Sequence, residues 1–193
     1  ENAVKTWEIQ TGRLVRTFPG PPGGLVFSPD GQRALTLAAD DTIRLWDLIS
    51  GEMIRSFSGN AHGVSSASLS PDGWSLVTGS GDDAARLWDI ETGQLLHTFS
   101  GNVRHISKAS LSPDHARILT GFRDGEVKIW DLRTGALVRT YQGHTREISC
   151  AVFSMDGHLA LTGGRDSVAH LWDVETGGTL RVFSSPGWVG GAA

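Results

Sequence analysis

The sequence predicts an all-β fold in which small antiparallel four-stranded sheets repeat around an axis, and three observations carry that expectation. The first is a series of five Trp-Asp or Trp-Glu pairs: Trp7-Glu8, Trp46-Asp47, Trp88-Asp89, Trp130-Asp131 and Trp172-Asp173. The steps between the tryptophans are 39, 42, 42 and 42 residues. A repeat of that length is one small sheet, which cannot cover its own apolar faces and so needs neighbours. The second is a set of companions in register. Thr36, Thr78, Thr120 and Thr162 each stand ten residues before a Trp, and Asp40, Asp82, Asp124 and Asp166 stand six before it. The third is the length of the apolar runs between turn signals, about six residues, which suits strands and is too short for helices.

The elements follow in order. Residues 1–18 supply the third and fourth strands of a unit, and complete units span 19–57, 58–99, 100–141 and 142–183. Each complete unit carries a hairpin turn between its first two strands: Ser28-Pro29-Asp30-Gly31, Ser70-Pro71-Asp72-Gly73, Ser112-Pro113-Asp114-His115 and Ser154-Met155-Asp156-Gly157. Pro presets a turn dihedral, Asp bonds the backbone ahead of it, and Gly accepts a positive φ. A second turn follows each Trp, at Thr11-Gly12, Ser50-Gly51, Thr92-Gly93, Thr134-Gly135 and Thr176-Gly177. In the last unit the strands are expected at roughly 148–154, 158–163, 169–173 and 179–183. Residues 184–193 form a Gly-rich tail or a truncated strand.

With these markers the chain resembles the WD-repeat β-propeller family over nearly its whole length. The resemblance implies a single propeller domain over 1–183, an incomplete ring or arc belonging to a longer protein. Two other arrangements stay open: a small five-bladed ring closed by the tail beside residues 4–9, and copies associating through open blade faces. In that family a Gly-His pair opens each repeat, and its His joins the Thr, Asp and Trp in a buried hydrogen-bonded set. Only the last repeat carries the whole set, as His144, Thr162, Asp166 and Trp172. The partial sets are Thr36, Asp40 and Trp46; Thr78, Asp82 and Trp88; and Thr120, Asp124 and Trp130. Gly59-Asn60 and Gly101-Asn102 stand where Gly143-His144 does, and Gly20-Pro21-Pro22-Gly23 shortens the first repeat. Because the Asp and Thr recur at fixed offsets in every complete repeat, the set with His144 reads as scaffolding rather than as a catalytic triad. Each buried Trp removes roughly 200 Å² from water, an upper bound of about 5 kcal/mol per blade.

Composition narrows the function classes. A net charge of −4 with interspersed arginines offers no basic stripe for nucleic acid. No apolar run reaches membrane-spanning length. The seven His and the one Cys show no zinc spacing, and Asp40-Asp41 and Asp82-Asp83 lack the alternating oxygen ligands of a calcium loop. No metal, no cofactor and no catalytic residue is expected. A lone Cys150 in a strand fits a reducing, cytoplasmic setting and a place in the core.

A non-enzymatic scaffold for protein–protein interaction remains. A regulatory or sensor domain of a larger enzyme, or an excised or engineered fragment that self-assembles, stays open beside it. The resemblance implies that the loops between strands d and a and between b and c crowd one face and capture a peptide or domain. Ala39, Gly81, Arg123 and Arg165 precede the turn Asp there, and Gly23, Gly24, His62, Gly63, Arg104, His105, Arg146 and Glu147 lie in the d–a loops. These positions predict a partly basic groove on the last two blades for an acidic or phosphorylated segment. Solvated surface arginines are the plain alternative. Trp74, just past a hairpin turn, is a candidate anchor or a side chain packed on a neighbouring strand, and Trp188 is a candidate first-strand residue docked on an open blade.

Overall fold

The computed structural model describes residues 3–19, 24–38, 40–60, 62–100, 105–187 and 189. Among these residues eighteen strands form five sheets, and every sheet pairs sequence neighbours antiparallel. A half blade holds β1 (Ala3–Trp7) and β2 (Leu14–Pro19). Blade 1 holds β3 (Leu25–Phe27), β4 (Arg33–Leu37), β5 (Ile43–Asp47) and β6 (Met53–Phe57). Blade 2 holds β7 (Val64–Leu69), β8 (Ser75–Ser80), β9 (Ala84–Asp89) and β10 (Leu95–Ser100). Blade 3 holds β11 (Ile106–Leu111), β12 (Arg117–Phe122), β13 (Val127–Asp131) and β14 (Leu137–Tyr141). Blade 4 holds β15 (Ile148–Phe153), β16 (Leu159–Gly164), β17 (Val168–Asp173) and β18 (Thr179–Ser184). Among the described residues no strand pairing joins the half blade to blade 4, so the described blades form an arc; the tail expected to close a five-bladed ring falls largely outside them, at residues 188 and 190–193.

The turns are held by the residues that mark them. The Ser28, Ser70, Ser112 and Ser154 hydroxyls donate to Asp30, Asp72, Asp114 and Asp156 at 2.5–2.6 Å. The Asp of each Trp-Asp pair closes the next turn: Asp89, Asp131 and Asp173 accept from the N–H groups of Thr92, Thr134 and Thr176 at 2.6–2.7 Å. These bonds favour the ionised form and hold the Asp89 and Asp173 carboxyls below the ordinary carboxylate range.

The core lies between blades. Leu35, Ile43, Leu45 and Phe57 of blade 1 pack against Leu76, Trp88 and Ile90 of blade 2. Val77, Ala85, Leu87 and Phe99 meet Ile118 and Trp130 of blade 3, and Leu119, Val127, Ile129 and Tyr141 meet Ala160, Trp172 and Val174 of blade 4. Trp46, Trp88, Trp130 and Trp172 therefore face backwards, onto the last strand of the preceding sheet. The ring pairs are Phe18–Trp46 at 5.5 Å, Phe57–Trp88 at 6.0 Å, Phe99–Trp130 at 6.1 Å and Tyr141–Trp172 at 5.1 Å. Burial pushes the Tyr141 hydroxyl up to about 12. A register shift recurs beside the Trp in every sheet, because the strand that follows carries one extra residue there.

Candidate functional site

Register explains the buried polar set. Thr36, Thr78, Thr120 and Thr162 sit directly opposite Arg44, Arg86, Lys128 and His170, two residues before each Trp. Opposed residues share a face, and so do residues two apart, so Thr and Trp side chains meet on the diagonal. The Trp indole N–H donates to the Thr hydroxyl at 2.9, 3.0, 2.8 and 2.8 Å in blades 1 to 4.

Blade 4 completes the set. His144 Nδ1 lies 3.0 Å from Asp166, and Nε2 lies 2.9 Å from Thr162 Oγ1. A carboxylate only accepts, so Nδ1 carries the proton; Nε2 then accepts from the Thr162 hydroxyl, whose oxygen accepts from Trp172. Burial raises the Asp166 pKa, but the Thr145 N–H and the His144 ring outweigh it and hold the carboxyl below its ordinary range. His170 stacks on Trp172 at 4.8 Å and meets the edge of His144 at 4.5 Å. Burial and the neighbouring His144 push the His170 pKa down against the pull of Asp166.

The other blades solve the same problem with a different residue. In blade 2 the Thr78 hydroxyl donates to Asn60 at 3.0 Å, so Asn60 takes the acceptor half of the histidine role. Asp82 is held instead by Arg86, at 3.0 and 2.5 Å. In blade 1 Arg44 reaches Asp40 at 2.5 Å. In blade 3 Asp124 is exposed and accepts from the Glu126 N–H of its own turn, while Lys128 pairs with Glu126 at 3.0 Å and lies over the Phe122 ring. The cation four residues after the turn Asp was visible in Asp40…Arg44 and Asp82…Arg86, and sequence reasoning passed over it. Asn102 lies outside the described residues.

The loop face gathers most of the other candidates. A cavity of about 510 Å³ is lined by loops and inner strands of blades 2 to 4, with His62, His105, Lys108, Arg123, Glu147 and Arg165 among its walls. Glu147 stands between the two arginines, 3.8 Å from Arg123 Nε and 3.2 Å from Arg165 Nε. Both arginine side chains are more than half exposed. His105 lies 3.8 Å from Asp83, whose carboxylate also accepts its backbone N–H at 2.5 Å. Asp41 does the same for the Gly63 N–H at 2.7 Å. The second Asp of each pair thus ties down the next blade's loop, and among the described residues no cluster of metal-ligating side chains forms.

Several candidates fall elsewhere. Arg146 is exposed and does not line the cavity, and Arg104, Ala39, Gly23 and Trp188 lie outside the described residues. Trp74 sits where the sequence put it, at an a–b hairpin turn away from the loop face, half-exposed, with the Arg33 guanidinium of the neighbouring blade 5.9 Å from its ring. Sequence reasoning missed Lys108 and a ladder of serines. Ser107 donates to the carbonyls of Gly121 at 3.0 Å and Ile148 at 2.7 Å, and Ser65 bonds Gly79 and Ile106 likewise. The step of 42 residues linking Ser65, Ser107 and Ser149 was the available signal.

Four segments of the chain, residues 12–47, 51–89, 93–131 and 135–173, match the WD40 family (WD domain, G-beta repeat). No curated protein matches the chain significantly.

Proposed function

The chain belongs to the WD40 family, whose repeats generally serve as protein-interaction scaffolds, and we propose that its loop-face cavity takes an acidic or phosphorylated segment of a protein partner. One observation carries the reading: Lys108, Arg123 and Arg165 converge on a single concave surface with Glu147 as the only carboxylate among its described walls. Glu147 engages the arginines through Nε, which steers the planar ends outward for paired contacts with a carboxylate or phosphate. The site is non-enzymatic on this reading. The arrangement most like a catalytic triad is sealed, with the His144 side chain 0% and the Asp166 side chain 7% exposed. A reducing, cytoplasmic setting goes with it, since Cys150 is a free, buried thiol whose pKa is raised by burial.

The probe is a fluorescein-labelled peptide of glutamate and phosphoserine, followed by anisotropy at low and high salt. Wild-type protein binds it, and binding weakens with salt because the partners are charged. Replacing Arg123 and Arg165 together by Ala lowers affinity at least about tenfold, the effect of removing one charge-assisted contact. Equal binding by the double variant, or none by the wild type, removes the proposal.

A further inference from the structure

The two ends of the arc carry the halves of the contact that joins its blades internally. In blades 1 to 3 the forward face is closed: Leu35, Ile43 and Phe57, then Val77, Ala85 and Phe99, then Leu119, Val127 and Tyr141, are each at most 2% exposed. Their equivalents in blade 4 are Leu161 and Ala169, both partly exposed, and Phe183, which is 48% exposed. Phe183 is the aromatic that should meet a Trp. At the other end Trp7 is 55% exposed and Ile9 is 99% exposed, whereas Trp88 and Ile90 in the same places are 3% and 2% exposed.

A second device points the same way. Arg55 donates to the carbonyls of Thr92 at 3.1 Å and Glu91 at 2.6 Å in the next blade, and Arg139 donates to Thr176 at 3.1 Å and Glu175 at 2.7 Å. Arg16 reaches the Ile49 carbonyl in the same manner. These arginines lie against the turn glycines: a Cβ on Gly93 would meet Arg55 at 2.8 Å, and one on Gly177 would meet Arg139 at 2.6 Å. Gly12 holds the same left-handed turn position, φ +68°, with nothing within 4 Å. Among the described residues no turn follows Arg181 on β18 and nothing covers the Gly12 turn, whereas the Gly135 turn meets His97 in the arginine's place.

We propose that the open face of blade 4 binds the β1–β2 sheet of a second copy of this chain, head to tail. Phe183 of one copy lies on Trp7 of the other, Ile9 covers the Leu161 and Leu171 side chains, and Arg181 donates to the Gln10 and Thr11 carbonyls. The inner part of the face is already taken: Val189 accepts from the Ser149 hydroxyl as Ile106 and Ile148 accept from Ser65 and Ser107, and its N–H donates to Gly164. The outer part, where strands c and d of a further blade belong, is what the two-stranded sheet supplies. The contact joins unlike surfaces, so each copy keeps one free end and growth continues with concentration.

Light scattering and sedimentation of the 193-residue chain across a wide dilution series provide the test. Wild-type mass rises above 20.7 kDa with concentration. Trp7→Asp and Phe183→Asp variants, altered at half-exposed positions and confirmed as folded by circular dichroism, are each monomeric. Mixed in equal amounts they form a dimer that grows no further, because one intact Phe183 face meets one intact Trp7 face. Arg181→Ala weakens association about tenfold. The Arg123, Arg165 double variant assembles like the wild type, which separates this contact from the loop-face site. A wild type monomeric throughout, a Trp7→Asp variant that still associates, or a mixture that stays monomeric each overturns the proposal.

Discussion

Arg44 and Arg86 hold the turn aspartates of successive blades in nearly the same geometry, yet their surroundings differ. The Arg86 and Asp82 side chains are 13% and 14% exposed, against 28% and 53% for Arg44 and Asp40. Removing one partner of a largely desolvated pair strands the other charge, while an exposed pair is replaced by water. Arg86→Ala therefore lowers stability by roughly 3 kcal/mol and Arg44→Ala by less than about 1 kcal/mol, read from urea midpoints at pH 7. His170 makes the pH dependence of blade 4 calculable in sign. Its folded pKa lies below the ordinary 6.5, so the unfolded chain binds its proton first. That contribution to stability is complete above the unfolded value and is lost as pH falls through the folded one. A His170→Phe variant, which keeps the stack on Trp172, loses this part of the decline below pH 6.5. An unchanged pH profile for the variant means that other groups set it.

Each blade is one element, and its worth depends on having a neighbour on either side. Trp88 is closed in by Phe57 and the blade 1 strands, whereas Trp7 is 55% exposed with no described sheet on that side. In dilute, monomeric protein Trp88→Ala costs about 3–5 kcal/mol, and Trp7→Ala costs at most about 0.5 kcal/mol; comparable losses would mean that Trp7 is covered in the monomer. At this scale much was legible. The Ser-Pro-Asp-Gly and Thr-Gly signals bracket the observed hairpins because a turn is decided by a few adjacent residues. The extra residue beside every Trp left no such mark. A bulge depends on how two strands twist against each other, and any side chain can occupy it.

Across the whole arc, the sequence alone determined the number of blades, the strand order, the partnership of Thr with Trp and the location of the arginine-bearing loops. The first two rest on local turn chemistry and on a period long enough to count, and the last two on the resemblance to WD-repeat proteins. Tertiary structure decided the rest. It showed that Arg44 and Arg86 stand in for the absent histidine at the turn aspartates, that Lys108 and Glu147 join Arg123 and Arg165 around one cavity, and that the Arg33 guanidinium lies over the Trp74 ring. It also left Trp7 and Phe183 uncovered at opposite ends while every equivalent pair between them is closed. Those outcomes depend on which side chains meet across blades some 40 residues apart, a property of packed surfaces that periodicity does not encode.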